Sequence, residues 1–218
     1  SGANTYTWTA SVGSNPVNGI AFTPSATANY SLAGTNTLTG CTSTNNVAVT
    51  ITVNTLPVVT AAVTSSVICN TQTIAVNGSG ANTYTWVASA GSNPVNGTAF
   101  SPSATANYSV TGSIAGCTST NVAAVTVSVN ALPTVSVTSV AICAGNSATL
   151  TASGASSFAW NTGEITTSIV VTPTMSPMDY TVTGTDGNNC SASAVATVTV
   201  NALPVVTLSL TPNLQCVT

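Results

Sequence analysis

The sequence predicts an all-β protein made of tandem β-sandwich repeats arranged end to end, and three observations favour this fold class. Thr, Ser and Val are abundant, whereas Lys and Arg are absent and Glu occurs once. β-Branched residues suit pleated strands, and the scarce residues are good helix formers. Short alternating runs are separated by Gly, Asn and Pro. The same motifs also recur three times along the chain. With 44% hydrophobic and 1% charged residues, the composition argues against disorder.

The repeat is defined by blocks of nearly identical sequence. The blocks are SGANTYTW at Ser1–Trp8 and Ser79–Trp86, SGASSFAW at Ser153–Trp160, GSNPVNG at Gly13–Gly19 and Gly91–Gly97, and PSATANYS at Pro24–Ser31 and Pro102–Ser109. Each repeat closes with an Asn-x-Leu-Pro joint, at Asn54–Pro57, Asn130–Pro133 and Asn201–Pro204. The predicted organisation is a partial repeat over 1–57 without its first strands, complete repeats over 58–133 and 134–204, and the first strand of a following repeat over 205–218.

The second repeat predicts the strands most clearly. Seven are expected, at Val58–Thr64, Gln72–Asn77, Thr83–Ala88, Ala99–Phe100, Ala104–Ala106, Tyr108–Gly112 and Thr118–Val129. In the last of these, Val125, Val127 and Val129 alternate with polar residues, as in a strand with one buried face. The short joint contains a proline that cannot donate to a sheet ladder, so we expect successive repeats to form a semi-rigid rod.

Aromatic residues at recurring positions make the sandwich immunoglobulin-like. Each repeat has one tryptophan, and Trp8, Trp86 and Trp160 are predicted to be the buried tryptophan of the third strand. Three tyrosines, Tyr30, Tyr108 and Tyr180, are predicted to be structural corner residues. A sugar-stacking role for the tryptophans is the alternative, and the core role is favoured.

Six cysteines are predicted to form disulfides rather than a metal site. Cys69 and Cys143 each lie 17 residues before a tryptophan, and each has a later candidate partner in its own repeat. The predicted pairs are Cys69–Cys117 and Cys143–Cys190, which close loops worth about 4 kcal/mol each in the chain-entropy model. Disulfides place the protein outside the reducing cytosol, at the cell surface or secreted.

Cys41 and Cys216 have no partner in this scheme, and two interpretations stay open. The chain is a segment of a longer array, and both cysteines bond to residues outside it. Alternatively, the tail of one subunit adds as a strand to the partial first repeat of the next, with Cys216 bonded to Cys41 between chains.

The composition excludes most chemical functions. The chain has no Lys, Arg or His, and its acidic residues are Glu164, Asp179 and Asp186. General acid–base catalysis, zinc binding, nucleic-acid binding and basic membrane-surface binding all need residues that are missing. We therefore expect no enzyme activity, no cofactor, no metal, no nucleic-acid partner and no membrane insertion. A calcium loop is conceivable at Asp186–Asn189, but this stretch has the sequence of an ordinary turn.

The third repeat resembles the immunoglobulin-like repeats of giant secreted surface proteins of Bacteroidota. The resemblance rests on Ile142–Gly145, Ser147–Ala155, Trp160, Tyr180–Thr185, Cys190 and Val198–Asn201. It extends over essentially the whole chain, although the second repeat departs at Ile68–Asn70 and after Trp86. It implies export by the type IX secretion system and a role in adhesins, gliding filaments or extracellular fibres.

The leading hypothesis is a structural repeat segment of an extracellular fibre or giant adhesin. Its partners would be neighbouring repeats of the same protein and other copies in a filament. The alternative is a module in which the loops Gly13–Gly19 and Gly91–Gly97 bind a surface glycan.

Overall fold

The computed structural model describes residues 3–44 and 47–209 of the 218-residue chain. All regular elements within these ranges are β-strands, which confirms the predicted all-β fold. None of the described residues forms a helix that is long and apolar enough to cross a membrane. The chain divides into two compact units, which fall within Ser1–Thr64, Ala75–Ala99 and Asn107–Val125, and within Ser65–Ile74, Phe100–Ala106 and Thr126–Thr218. Because these units divide the second repeat, the repeat boundaries remain a prediction.

The described residues of the first repeat form one antiparallel sheet of three strands. These strands are β1 (Thr5–Ala10), β2 (Ala28–Thr35) and β3 (Val47–Ile51), in the order β1-β2-β3. The central strand β2 pairs along its whole length with β1 or β3. Its residues Ala28 and Tyr30 are buried.

The second repeat contributes eight strands to two sheets. They are β4 (Thr60–Val63), β5 (Val67–Cys69), β6 (Ile74–Ser79), β7 (Thr83–Ala88), β8 (Ala99–Phe100), β9 (Ala106–Ile114), β10 (Cys117–Thr118) and β11 (Ala123–Asn130). One sheet has the order β4-β6-β8. The other has the order β10-β9-β11-β5, with β7 also paired to β9.

Two strand predictions for this repeat are wrong in detail. The expected strand Thr118–Val129 is interrupted, because Ser119 folds back on β9. Its hydroxyl accepts from the Gly112 N–H at 3.2 Å and donates to the Asn121 carbonyl at 3.1 Å. The expected strand Ala104–Ala106 is absent apart from Ala106, which begins β9, and the sequence did not predict β5.

The third repeat is a two-sheet sandwich. Its strands are β12 (Ser136–Val137), β13 (Val140–Cys143), β14 (Ala148–Ser153), β15 (Ser157–Trp160), β16 (Ser168–Val171), β17 (Met178–Thr185) and β18 (Ser191–Asn201). The sheets have the orders β12-β14-β16 and β13-β18-β17-β15. Alternate residues of the two sheets, including Leu150, Trp160 and Val182, form one buried apolar cluster. This division of strands between sheets is immunoglobulin-like, as predicted.

The short strand β13 determines where the cysteines lie. It pairs in parallel with the last residues of β18, so that Cys143 lies opposite Asn201. In the second repeat, β5 pairs in parallel with the end of β11 in the same way, and Cys69 lies opposite Asn130. Each Ile-Cys cysteine is therefore held beside the asparagine that begins a joint.

Candidate functional site: a disulfide between repeats and the turns around it

A disulfide joins Cys69 to Cys190, with Cα atoms 5.5 Å apart and a sequence separation of 121 residues. Cys69 ends β5 and belongs to the second repeat, whereas Cys190 precedes β18 and belongs to the third. The Cys190 side chain is 1% exposed. Both cysteines fall within the same compact unit, and by the repeat boundaries predicted from the sequence the bond links the second repeat to the third by a route other than the joint.

This bond contradicts both predicted pairings, Cys69–Cys117 and Cys143–Cys190. Within the third repeat, Cys143 lies opposite Asn201, whereas Cys190 directly precedes Ser191 at the other end of β18. Ten residues of strand span about 33 Å. A disulfide needs Cα atoms within roughly 7 Å, so these two cysteines cannot bond inside one sandwich.

The other cysteines have different surroundings. Cys41 and Cys143 are free and exposed, and Cys117 is free and partly buried. Cys117 lies in β10, opposite Ile114 of β9. Cys216 lies outside the described residues.

Asp186 holds the turn that presents Cys190. One of its carboxylate oxygens accepts from the backbone N–H of Asn188 at 2.8 Å and of Cys190 at 2.9 Å. Its own N–H donates to the Cys190 carbonyl at 2.9 Å. This arrangement is an Asx-type turn, which supports the turn interpretation of Asp186–Asn189. Sequence reasoning missed its role beside the disulfide.

The remaining acidic side chains make local contacts. An Asp179 carboxylate oxygen accepts from the Thr197 hydroxyl at 2.7 Å. Hydrogen bonds from the Thr162 hydroxyl and from its own backbone N–H hold the pKa of the exposed Glu164 carboxyl below its usual value. Among the described residues, no three His, Cys, Asp or Glu side chains come together as a metal site would need.

The tryptophans differ in burial from one repeat to the next. Trp86 and Trp160 are buried, whereas Trp8 of the first repeat is partly exposed. Each indole N–H has a partner. Trp86 donates to Asn96 Oδ1 at 3.0 Å, and Trp160 donates to the Thr166 carbonyl at 2.9 Å. The three candidate corner tyrosines, Tyr30, Tyr108 and Tyr180, are all buried.

Asparagines of the two GSNPVNG loops fasten those loops to their own strands. Asn93 Oδ1 accepts from the Ala88 N–H at 2.9 Å, and Asn15 Oδ1 accepts from the Ala10 N–H at 2.8 Å. Asn96 Oδ1 accepts from the Gly78 N–H at 2.6 Å in addition to the Trp86 indole. The loops therefore use these polar atoms to bind the strands of their own repeats.

Asn96→Ala is expected to lower the free energy of unfolding by about 2 kcal/mol, because two partly buried N–H donors lose their acceptor. The matched control is Asn18→Ala in the first repeat, where Asn18 accepts one exposed bond from Trp8 at 3.3 Å. Its effect should stay below about 1 kcal/mol. Urea denaturation followed by tryptophan fluorescence measures both, and equal losses would contradict the assignment.

The loop Gly13–Gly19 also forms one wall of a cavity of about 330 Å³. Phe22 and Tyr30 line it, with their rings edge to face at a centroid distance of 5.2 Å. The lining contains no charged side chain. Among the described features, this cavity is the one that best fits the predicted glycan-binding alternative.

Comparisons with known proteins find structural likeness only. No protein-family model matches the chain, and no curated protein matches it. Among solved structures, a Ca²⁺-stabilised, ice-binding adhesin of an Antarctic bacterium is 18% identical to this chain, with a TM-score of 0.35. The match covers 81% of this chain and 57% of the adhesin chain. A three-immunoglobulin fragment of titin is 11% identical, with a TM-score of 0.38 and coverage of 91% and 88%. A mixed-linkage glucan utilisation protein of Bacteroides ovatus, bound to a heptasaccharide, is 15% identical, with a TM-score of 0.26 and coverage of 91% and 60%.

Proposed function

We propose that the chain is a structural segment of an extracellular bacterial surface fibre or giant adhesin. It acts as a spacer whose repeats are joined covalently, and it catalyses no reaction. The observation that carries this proposal is the disulfide between Cys69 and Cys190, because its two ends belong to repeats that the sequence predicts to be successive. A bond placed beside the joint restrains the bending of one repeat against the next, as a spacer requires.

Three further features support this proposal. The disulfide favours an oxidising compartment outside the cytosol. Asp179 and Asp186 make local contacts, and the asparagines of the GSNPVNG loops bind the strands of their own repeats. The resemblance to Bacteroidota repeats adds an expected host and the type IX export route to the proposal.

The location is tested by immunogold electron microscopy with antibodies raised against the chain. Intact cells that produce the protein should be labelled on surface fibres or at a distance from the outer membrane. Permeabilised cells serve as the control for internal antigen. Label that appears only after permeabilisation would contradict an extracellular role.

A glycan-binding module is the second candidate, and the cavity beside Gly13–Gly19 favours it. A glycan array probed with the chain distinguishes the two functions. A spacer should give no saturable binding. Saturable binding that is lost in Phe22→Ala would reverse the ranking, because Phe22 is the aromatic wall of the cavity. The matched control is Phe100→Ala, the same position in the second repeat.

A further inference from the structure

Cys143 has the same backbone surroundings as the bonded Cys69. Each ends a short strand that runs parallel to the last strand of its repeat. The residue after each cysteine donates its N–H to the joint asparagine at 2.8 Å, and each cysteine carbonyl accepts from the N–H three residues on at 3.1 Å. Cys143 therefore occupies the position in the third repeat that Cys69 occupies in the second, but its thiol is exposed and free.

Cys41 matches the other half, Cys190. The Cys190 carbonyl accepts from the Asp186 N–H at 2.9 Å, and the Cys41 carbonyl accepts from the Asn36 N–H at the same distance. Asn36 Oδ1 also accepts from a backbone N–H two residues on, as Asp186 Oδ1 does. The Cys41 turn thus repeats the Cys190 turn, again with an exposed free thiol.

A second and independent pattern concerns the valine that lies two residues after each joint proline. Val59 packs on Gly112 of β9, where a Cβ would lie 2.7 Å from its Cγ1. Val135 packs on Gly184 of β17 in the same way, with Cγ2 at 2.6 Å. In both places an alanine methyl, of Ala81 or Ala155, borders the same glycine. Each complete repeat thus fills the space above this glycine with the valine that follows the preceding joint.

Within the part of the chain that the structure describes, one such glycine and one such valine lack this contact. Above Gly34 of β2, the nearest atoms belong to Ala3 and Tyr6, with no valine among them. Gly34 lines a cavity of about 490 Å³, and Cys41 lines the same cavity. Val206 follows the third joint proline and is 90% exposed, whereas its equivalent Val59 is 2% exposed. An unfilled apolar position and a free thiol therefore share one surface.

We propose that this surface receives a second copy of the chain, joined end to end. Val206 of one copy fills the cavity above Gly34 of the next, and Cys143 of the first bonds to Cys41 of the second. Both contacts follow from one arrangement, because Val135 and the Cys69–Cys190 bond occur together at the joint between the second and third repeats. The proposal rests on the proposed function as a fibre segment and names its partner. It differs from the Cys41–Cys216 bond considered from the sequence.

The bond forms by oxidation of two thiols. Cys41 and Cys143 lose two protons and two electrons to a disulfide oxidant, which is reduced to two thiols. In vitro the oxidant is glutathione disulfide, which yields one protein disulfide and two molecules of reduced glutathione. Two exposed thiols satisfy the access that the exchange requires.

The test uses the 218-residue chain with Cys117→Ser and Cys216→Ser, so that Cys41 and Cys143 are the free thiols. Oxidation in a glutathione buffer should give a ladder of multimers on a non-reducing gel, and reduction should abolish the ladder. Because the chain lacks Lys and Arg, chymotryptic peptides are analysed by mass spectrometry. The expected product is a peptide that links Cys41 to Cys143.

Single variants in this background show the direction of joining. Cys41→Ser alone and Cys143→Ser alone should each stay monomeric, since each retains one half of the bond. A mixture of the two should stop at dimers, because each chain can be linked at one end only. Dimers of either single variant would indicate Cys41–Cys41 or Cys143–Cys143 bonds and would overturn the proposal.

The role of Val206 is tested by the rate of cross-linking. Val206→Asn should slow multimer formation about tenfold, since an amide replaces the buried methyl groups. Val205→Asn is the matched control, because Val205 is 88% exposed and its equivalent Val58 is 73% exposed. Equal cross-linking rates in the two variants would contradict the proposed packing of Val206 in the cavity above Gly34.

Failure of this inference can be told apart from failure of the proposed function. A chain that stays monomeric on oxidation, yet labels surface fibres on intact cells, would retain the spacer function and lose the end-to-end bond. Multimers linked through Cys41 and Cys143, without label on intact cells, would support the bond and contradict the extracellular role. In the unmodified chain, a Cys41–Cys216 peptide in place of Cys41–Cys143 would overturn the proposed pairing.

Discussion

Replacing both Cys69 and Cys190 with serine is expected to lower the free energy of unfolding by about 2–5 kcal/mol. The disulfide spans a sequence separation of 121 residues, and cross-linking so long a segment strongly restricts the unfolded chain. Both cysteines are replaced so that no buried thiol remains to form a new bond. Urea denaturation of the oxidised protein, followed by circular dichroism and tryptophan fluorescence, measures the change.

The matched control is Cys143→Ser. Cys143 has the same strand register and the same backbone hydrogen bonds as Cys69 but no disulfide within the chain, so its replacement should shift the unfolding midpoint of the monomer little. The sequence-based pairing of Cys143 with Cys190 requires the opposite, a large loss in Cys143→Ser. Mapping the disulfides of the oxidised protein on chymotryptic peptides gives an independent answer. A Cys143–Cys190 peptide would contradict the structure.

The predicted pairing failed because sequence distance does not tell which end of a sandwich a residue occupies. The prediction paired Cys143 with Cys190 because Cys190 is the later cysteine of the same predicted repeat. The structure instead places Cys143 on β13, an extra short strand beside the end of β18. One sequence signal was available. Asn146–Ser147 follows Cys143 closely and marks a turn before the core strand β14 begins, so that the cysteine belongs to a separate strand.

Other parts of the fold were predictable because they depend on local pattern. The alternation of β17 and β18 places Val182 and Val198 in the core, and the tryptophans of the second and third repeats are buried. The roles of Asp186 and Asn96 were not predictable. In turn sequences rich in Asp, Asn and Gly, a side chain can accept hydrogen bonds from any of several nearby backbone N–H groups. The folded structure is needed to show which of these groups each side chain binds. Trp8 is less buried because the described strands of its repeat form one sheet, with no second sheet to cover it.

Gly154→Ala is expected to destabilise the third repeat by about 3–5 kcal/mol, because it combines backbone strain with overlap. Gly154 has a φ of +91°, and a Cβ there would lie 1.9 Å from the Thr134 carbonyl oxygen and 2.8 Å from its carbonyl carbon. Both atoms belong to backbone that has just left the joint. They cannot move without displacing Val135 from its seat on Gly184. The loss should therefore appear in the whole sandwich as a lower urea midpoint.

Gly163→Ala separates the effect of steric overlap at the new Cβ from the effect of backbone strain at a positive φ. Gly163 has a φ of +102°, yet a Cβ there would meet no atom within 4 Å. Its replacement should cost only the conformational strain, about 1–2 kcal/mol. Gly80→Ala extends the test to the second repeat, where a Cβ would lie 2.0 Å from the Val58 carbonyl oxygen. Gly80→Ala and Gly154→Ala should both lower the free energy of unfolding by more than Gly163→Ala does. That result would show that the Ser-Gly-Ala block needs glycine because the backbone that follows each joint passes too close to leave room for a Cβ. Equal losses at all three positions would leave strain as the sole cause and would show that the joint crossing places no demand on this glycine.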